Sequence, residues 1–396
     1  MRYGMKRPIA VALRAVLAFA LALALGAPAR RGAFAVPAAQ GFLPSGAPRA
    51  LKGAAGIYEW HFTAARGPSP FDRIGLHRIA RGPVPPAHPE IVVLYLPGTN
   101  MNGEIAVDDP RYALPLYLAA HGADVWAMDY RTHFVPPDTA PAKLAAMAGW
   151  TERVFEGDIA AAAAFASART HNEKLFVAGF SSGASFAYLF AALHPRGVAG
   201  IVILDGFIPR RRAAAPPAGP PAGRVADDIG GRHLTYAKRR ALLEAVICDP
   251  GAPAPLAQYK TAAENLEYVV YHADGVFGGH GGLANPQGGF SDPAVLARVL
   301  IGYDRWWPAV QGYDNPFGAR TLARLGSSKI PVIAFSSTNI SAKWPAAVAA
   351  SATATGSRDV TVKRLEGWGH LDVICGTHAE REVYAPLLAW LRRHQK

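Results

Sequence analysis

The sequence predicts an α/β fold in which a mostly parallel sheet carries helices on both faces. From Ile91 onward, short apolar runs rich in β-branched residues recur, and segments of helical character separate most of them. Hydrophobic residues make up 51% of the chain and charged residues only 18%, which is enough apolar material for a large core. Alternation of strands and helices is typical of a parallel sheet that is covered on both sides.

Eight strands are predicted, because each of eight segments is apolar or alternating and is bounded by turn-forming residues. They are Ile57 to Thr63, Ile74 to Ala80, Ile91 to Leu96, Asp124 to Met128, Leu175 to Phe180, Gly200 to Leu204, Pro331 to Phe335 and Val360 to Leu365. Helices are predicted over Arg153 to Arg169, Ala184 to Leu193 and Glu380 to His394.

The N-terminal segment, residues 1–29, is typical of a secretory signal peptide. A basic start is followed by an apolar stretch from Ile9 to Leu25 and by Ala27-Pro28-Ala29, which fits the pattern at which signal peptides are cleaved. Cleavage removes four positive charges and lowers the formal charge from +12 to +8. A retained membrane anchor is the alternative, and Arg14 inside the apolar stretch disfavours it. We expect an exported protein, periplasmic or secreted, without a membrane anchor after cleavage.

Composition divides the remaining chain into an arm, a core and an insertion. Residues 30–56 are rich in Ala, Gly and Pro without periodicity, so a linker or N-terminal arm is predicted. Residues 57–206 and 329–396 hold the predicted strands and form the two parts of one core. Residues 207–328 begin with a Pro/Ala/Gly tract and continue with helical pieces and glycine-rich loops. An inserted cap after the sixth strand is therefore predicted.

The positive net charge of the chain does not indicate nucleic-acid binding. Its arginines are scattered and do not interleave with aromatic residues in a recognition pattern. The one local run, Arg210-Arg211-Arg212, opens the Pro/Ala/Gly tract and is predicted to be a solvated hinge. The sequence makes no prediction of oligomeric state.

The segment Gly179-Phe180-Ser181-Ser182-Gly183 lies between a predicted strand and a predicted helix. A nucleophile elbow holds its serine in a strained turn, and glycine on either side avoids clashes in so sharp a reversal. Ser181 is therefore a candidate nucleophile. A glycine-rich turn without chemistry is the alternative, since the chain has 40 glycines.

A serine nucleophile needs a base to accept its proton and donors for the oxyanion that forms on the substrate. His370 is the best candidate base among 13 histidines, because it lies in a glycine-rich loop directly after the last predicted strand. A structural loop histidine is the alternative, and His280 is predicted to lie in a flexible loop. Thr99 follows an apolar strand and Ser182 follows the serine, so their backbone amides are the predicted oxyanion hole.

These motifs resemble the α/β-hydrolase superfamily, with the oxyanion loop, the nucleophile and the histidine in family order. The resemblance covers roughly residues 57–396 apart from the insertion. It implies an eight-stranded, mostly parallel sheet, a cap, and acyl transfer by a Ser–acid–His triad. It implies no metal and no organic cofactor.

The acid of the triad departs from the usual family pattern. The resemblance implies a carboxylate after the seventh strand, yet residues 330–358 contain none, and Asn339 stands near the expected place. A variant within the family carries the acid after the sixth strand, where Asp205 lies. Asp205 is the predicted acid, with Asn339 and Asp372 as the alternatives.

Two further predictions concern the cap. Cys248 and Cys375 are predicted to form a disulfide, because the protein is expected to be exported, although two unrelated buried thiols remain the alternative. Such a bond would join the cap to the loop that bears His370. Aromatic residues of the insertion are predicted either to line an apolar substrate pocket or to form the insertion's own core: Tyr268, Tyr271, Phe277, Tyr303, Trp306 and Trp307.

Together these features predict an exported serine hydrolase that cleaves small carboxylic esters with an apolar acyl or aryl part. Amidase, peptidase or acyl transferase activity with the same machinery is the first alternative. A noncatalytic binding protein on a hydrolase scaffold is the second, because fold alone does not establish activity.

Overall fold

The structure is a computed structural model, and it describes residues 41–208, 224–225, 236–255, 257, 259–271, 290–312 and 319–395. Several predicted features lie outside the described residues: the signal peptide 1–29, the first part of the arm, the run Arg210-Arg211-Arg212, Phe277 and His280.

The strands of the described residues include all eight that the sequence predicts, with ends that differ by at most two residues. In chain order they are β1 Leu43–Pro44, β2 Arg49–Ala50, β3 Ile57–Ala65, β4 Arg73–Arg81, β5 Val92–Leu96, β6 Asp124–Asp129, β7 Leu175–Phe180, β8 Val198–Leu204, β9 Arg224–Val225, β10 Trp306–Trp307, β11 Val332–Ser337 and β12 Val360–Leu365.

Ten of these strands form one sheet in the order β1-β3-β4-β6-β5-β7-β8-β11-β12, with β2 also paired to β3. In the sheet order from β6 to β12 every neighbouring pair is parallel, whereas β3 pairs antiparallel with β4 and β4 pairs antiparallel with β6. The central strands β5 to β8 are buried almost throughout, which suits their apolar sequences. The predicted α/β class and mostly parallel sheet are thus confirmed, but the sheet has ten strands rather than eight.

The two additional strands lie in the segment that was predicted to be part of a linker. Both β1 and β2 pair antiparallel with β3, and Phe42 and Leu51 beside them are buried. The ring of Phe42 stacks on Phe165 with centroids 4.7 Å apart. Strands of only two residues are too short to produce an alternating pattern, so the composition of this segment concealed its packing.

Helices cover both faces of the sheet. They are α1 Leu114–Ala120, α2 Glu152–Thr170, α3 Ser182–Leu193, α4 Tyr236–Cys248, α5 Ala262–Tyr271, α6 Pro293–Ile301, α7 Ala309–Gly312, α8 Ala319–Ser328, α9 Trp344–Thr353, α10 Asp372–Cys375 and α11 Ala385–His394. A π-helical turn, Glu380–Tyr384, leads into α11. One core contains buried residues of α1 and α11 and the other those of α2 and α3, so the prediction of two covered faces is confirmed.

The predicted disulfide is wrong, because both cysteines are free. Cys248 is exposed at the end of α4, whereas Cys375 is buried in α10, with its Sγ 3.3 Å from the carbonyl oxygen of Leu371. Burial raises the pKa of the Cys375 thiol to about 12. The insertion is joined to the end of α10 by backbone pairing instead, because Ser291 forms an isolated antiparallel β-bridge with Gly376.

The described ranges contain no helix that combines the length and apolar character required to cross a membrane.

Candidate active site

Ser181 occupies the sharp turn between β7 and α3, as the sequence predicts. Its backbone has φ 54° and ψ −120°, a sparsely populated conformation for a residue with a side chain. Such strain costs about 1–3 kcal/mol and persists where surrounding structure enforces it. A Cβ atom on Gly179 would clash with the backbone of Gly183, and one on Gly183 would clash with that of Leu96. Both glycines are therefore required by the packing of the turn.

The end of β8 holds this turn in place. The amide of Ser181 donates to the carbonyl oxygen of Leu204 at 3.0 Å. A Cβ atom on Gly206 would clash with the carbonyl oxygen of Ser181, so Gly206 allows the two segments to approach closely. Asp205 lies between these two contacts and has a positive φ of 53°. The turn with the serine and the strand end with the carboxylate therefore pack directly against each other.

His370 lies in the loop between β12 and α10 and is 2% exposed. Its ring stacks on Phe180, the residue before Ser181, with centroids 4.7 Å apart. The Nδ1 atom of His370 is 2.6 Å from Oδ2 of Asp205. Because a carboxylate oxygen accepts hydrogen bonds, this contact favours the tautomer that carries its proton on Nδ1. The Nε2 atom is then the one that can accept a proton.

Asp205 is fully buried and accepts hydrogen bonds at both carboxylate oxygens. The amide of Ser337 donates to Oδ1 at 2.7 Å, and the indole nitrogen of Trp344 donates to the same atom at 2.8 Å. The hydroxyl of Ser337 donates to Oδ2 at 2.6 Å, the oxygen that also contacts His370. These donors compensate the loss of water around a buried carboxylate and fix its direction.

Sequence analysis missed Ser337 and Trp344. In the parallel pair Leu204 lies opposite Phe335, so Asp205, which follows β8, meets Ser337 at the end of β11. This register forms only in the folded sheet, and no local pattern in the sequence signals it. Trp344 begins α9, and no pattern in the sequence connects its indole with Asp205.

The two alternative partners of His370 have other contacts. The amide of Asn339 donates to the carbonyl oxygen of Trp368 at 3.0 Å, but its buried side-chain nitrogen has no hydrogen-bond partner among the described residues. The carboxylate of Asp372 accepts from the amide of Gly369 and from the hydroxyl of Ser291, both at 2.7 Å. Asp372 thus supports the loop that bears His370 and connects it to the insertion.

The two predicted oxyanion donors lie after β5 and at the start of α3. Thr99 follows β5, and Ser182 is the first residue of α3, where amides lack helical partners. Within the described part of the chain, neither amide donates to another residue. A Cβ atom on Gly98 would lie 3.1 Å from Cβ of Ser181, so the loop of Thr99 packs against the serine.

Residues of the insertion hold the oxyanion loop. The hydroxyl of Thr99 donates to the carbonyl oxygen of Gln311 at 2.8 Å, and the amide of Asp304 donates to that of Asn100 at 2.7 Å. The carboxylate of Asp304 accepts from the hydroxyl of Thr132 at 3.0 Å and contacts Nδ1 of His133 at 3.1 Å. Asp304 therefore connects the insertion both to the oxyanion loop and to the segment after β6.

This connection predicts a pH-dependent stability. Burial alone would lower the pKa of His133, but Asp304, with Asp129 and Glu104 nearby, raises it to about 9. A raised pKa means that protonated His133 stabilises the fold fully below about pH 6.5, the value of free histidine, and that this contribution disappears as the pH rises through about 9. His133→Gln should lower the free energy of unfolding by about 1–3 kcal/mol at pH 6 and by much less at pH 10. Urea unfolding of the wild type and the variant measures this change in the free energy of unfolding at each pH. An equal decrease at pH 6 and pH 10 would contradict the role of the charged pair of His133 and Asp304.

Two of the aromatic residues of the insertion, Tyr303 and Trp306, follow the core interpretation. Tyr303 and Trp306 are each 5% exposed and belong to the two hydrophobic cores. Tyr268 packs on the ring of Tyr259 with centroids 5.0 Å apart, and Trp307 lies in β10. The side chain of Tyr271 lies outside the described residues. Tyr303 and Trp306 thus belong to the packed interior rather than to a pocket wall.

Comparison with known proteins identifies the fold. No known protein family and no curated protein matches the sequence. A candidate lipase from Sulfolobus solfataricus superimposes with a TM-score of 0.71 at 22% identity, covering 89% of this chain and 99% of the other. A carboxylesterase of the ammonia-oxidizing thaumarchaeon Nitrososphaera gargenis gives a TM-score of 0.48 at 16% identity, with 82% and 97% covered, which is too low to carry an argument. The chain has the α/β-hydrolase fold.

Proposed function

We propose that the protein is an exported serine hydrolase that cleaves carboxylic esters through an acyl-enzyme intermediate. The observation that carries the proposal is the contact of 2.6 Å between His370 and a fully buried Asp205, next to a serine in a strained turn. A buried carboxylate with four donors, one of them an imidazole, is costly to assemble, and acyl transfer uses this arrangement directly.

In the proposed first half-reaction, the Oγ atom of Ser181 attacks the ester carbonyl carbon while Nε2 of His370 takes the hydroxyl proton. The carbonyl oxygen becomes negatively charged and accepts from the amides of Thr99 and Ser182. Asp205 stabilises the imidazolium through Nδ1. When the tetrahedral intermediate collapses, the C–O bond to the alcohol breaks, and His370 returns the proton to the leaving alkoxide.

The second half-reaction repeats these steps with water as the nucleophile. His370 takes a proton from water, hydroxide adds to the acyl carbonyl, and the same two amides hold the oxyanion. Collapse breaks the bond to Ser181, and His370 returns the proton to the Oγ atom. The carboxylic acid product leaves, and no proton or electron is consumed beyond those supplied by ester and water.

Two kinds of alternative function remain to be compared with ester hydrolysis: other enzymes that use the same catalytic residues, and a noncatalytic binding protein. Amidases, peptidases and acyl transferases would use the same residues, and no contact in the described part of the chain favours one of them over ester hydrolysis. The noncatalytic interpretation depends on the lack of a carboxylate after the seventh predicted strand, which is β11 in the structure. The contact of Asp205 with His370 supplies a carboxylate from a different strand and removes that support.

An assay with nitrophenyl esters of increasing acyl length tests the proposal. The protein is isolated from the periplasm or medium, and its N-terminus, expected at Arg30, is read by mass spectrometry. We expect turnover of short to medium esters, with nitrophenol released in a burst of about one equivalent where deacylation is the slower step. Matched nitroanilides should react far more slowly. Cleavage of anilides without esters would indicate an amidase, and transfer only to added alcohols would indicate a transferase.

A further inference from the structure

Three potential metal ligands meet outside the active site, on the antiparallel part of the sheet. His61 lies on β3, His77 on β4 and Asp129 at the end of β6, and one ligand atom of each lies within 4.8 Å of the others. His61 and His77 are directly paired across the two strands, and their rings stack with centroids 4.4 Å apart. The three side chains therefore converge from three adjacent strands.

The separations of the ligand atoms fit a single ion. The Nε2 atom of His77 lies 3.0 Å from Oδ2 of Asp129, and Nε2 of His61 lies 3.5 Å from the same oxygen. Zinc bonds of about 2.0–2.1 Å in a tetrahedral site place neighbouring ligand atoms about 3.3–3.4 Å apart. The two separations from Asp129 lie on either side of this value. Because the two imidazole rings are stacked with an interplanar angle of 10°, a rotation of the partly exposed His61 ring is needed to direct both nitrogen lone pairs at one ion.

Hydrogen bonds to the atoms that would not bind the ion orient His77 and Asp129. Oε1 of Glu59 lies 2.8 Å from Nδ1 of His77, and Glu59 in turn accepts from the guanidinium of Arg49. A carboxylate behind a ligating histidine fixes the tautomer that leaves the other nitrogen free for a metal. The second oxygen of Asp129 accepts from the amide of Gly103 at 2.8 Å, which leaves Oδ2 facing the two histidines.

The surroundings leave room for the carboxylate and place one ligand partly at the surface. Gly75 lies opposite Asp129 on the neighbouring strand, and a Cβ atom there would clash with the carboxylate. The side chain of His61 is 33% exposed, yet its Nε2 atom is buried and makes no hydrogen bond of normal length. Its polar contact among the described residues is with Oδ2 of Asp129 at 3.5 Å, so an ion placed between the two atoms would replace a long contact rather than a strong hydrogen bond.

We propose that His61, His77 and Asp129 bind one Zn²⁺-type divalent ion, with water in the fourth position. Imidazole nitrogen and carboxylate oxygen are ligands that suit zinc. The ion would join three strands and, through the contact of Asp129 with Gly103, the far end of the loop that carries Thr99. Its role is structural, so the catalytic steps above do not pass through it. The sequence contains no local metal motif because each ligand comes from a different strand.

A proton competes with the ion in the metal-free protein. Burial alone would lower the pKa of His77, but the charges of Asp129 and Glu59 raise it to about 10. Binding must therefore displace this proton, as is general for histidine ligands.

The test uses the full mature chain without a histidine tag, stripped with EDTA and titrated with Zn²⁺ by calorimetry. Co²⁺ serves as a spectroscopic probe in a parallel titration. We expect one equivalent of either ion to bind, with the visible absorption of four-coordinate Co²⁺. Zn²⁺ should raise the unfolding temperature, and EDTA should reverse the rise.

Two variants and a control decide whether these residues are the ligands. His61→Ala removes the partly exposed ligand and leaves the hydrogen bonds of His77 to Glu59 and Asp129 intact, so the variant should fold, lose the cobalt spectrum and bind at least 100-fold more weakly. Glu59→Gln should weaken binding by about 10- to 100-fold. The control is His88→Ala, which disrupts the exposed ring pair of His88 and His171 and should bind as the wild type does. Absence of stoichiometric binding, unchanged binding by His61→Ala, or an equal loss in His88→Ala would overturn the proposal.

Discussion

Replacing Ser181 with alanine is expected to lower kcat for ester hydrolysis by about 10⁴- to 10⁶-fold while the protein remains folded. The alanine keeps the backbone of the turn but lacks the oxygen that forms the acyl-enzyme. Steady-state kinetics with a nitrophenyl ester measure the loss, and circular dichroism and thermal unfolding report on the fold.

The neighbouring serine is the matched control for this variant. The Oγ atom of Ser182 is buried without a hydrogen-bond partner in the described part of the chain, and the proposed role of Ser182 uses only its backbone amide. Ser182→Ala should therefore retain activity within a few-fold. If Ser182→Ala abolished turnover and Ser181→Ala did not, the assignment of the nucleophile would be wrong.

The variant Ser181→Gly distinguishes the effect of backbone strain on stability from the effect of the serine oxygen on activity. Glycine adopts a positive φ without steric cost, so this variant should be as inactive as Ser181→Ala but more stable than it, by about 1 kcal/mol. Urea unfolding of the two variants measures the difference. Equal stability would mean that the turn is not strained in solution.

The second large effect is expected for Asp205→Asn, with kcat lowered by about 10³- to 10⁴-fold. Asparagine has one accepting oxygen where Asp205 accepts from donors at two, so its NH₂ group must face a donor. If NH₂ faces His370, Nδ1 becomes the acceptor and the proton moves to Nε2, which is then unable to act as the base. If it faces Ser337 and Trp344 instead, two buried donors lose their partner and stability falls.

Asn339→Ala is the control for the acid, because the side-chain nitrogen of Asn339 has no hydrogen-bond partner among the described residues. It should change kcat by less than about threefold. Kinetics and unfolding of both variants are measured side by side, so that loss of fold is separated from loss of function. An inactive Asn339→Ala beside an active Asp205→Asn would reverse the assignment of the acid.

The sequence predicts the central sheet well because its signals are local. An apolar strand such as β7 and the glycines around Ser181 are each visible in a few consecutive residues. Asp205 is predictable because it directly follows a strand whose end faces the same edge of the sheet as Ser181. The ends of α2 and α3 differ from the predicted ends by one or two residues, since end residues depend on hydrogen bonds rather than on pattern. The predicted closing helix begins as the π-helical turn Glu380–Tyr384 and continues as α11.

Contacts between residues that lie far apart in the chain cannot be predicted from short sequence patterns. The indole of Trp344 reaches Asp205 across 139 positions, and the ring of His61 reaches Asp129 only after β3 and β4 have paired in register. The disulfide was predicted from compartment and count, whereas the orientation of the two thiols depends on how α4 and α10 pack. Packing and register decide these contacts, and neither is encoded in a short window.

Covalent labelling of the protein by a fluorophosphonate tests whether Ser181 is an activated nucleophile, because this reagent reacts with a serine that an adjacent base activates. We expect one adduct per chain, located by mass spectrometry on the peptide that contains Ser181, absent in Ser181→Ala and retained in Ser182→Ala. An unlabelled wild-type protein, or an adduct that persists in Ser181→Ala, would contradict this role of Ser181.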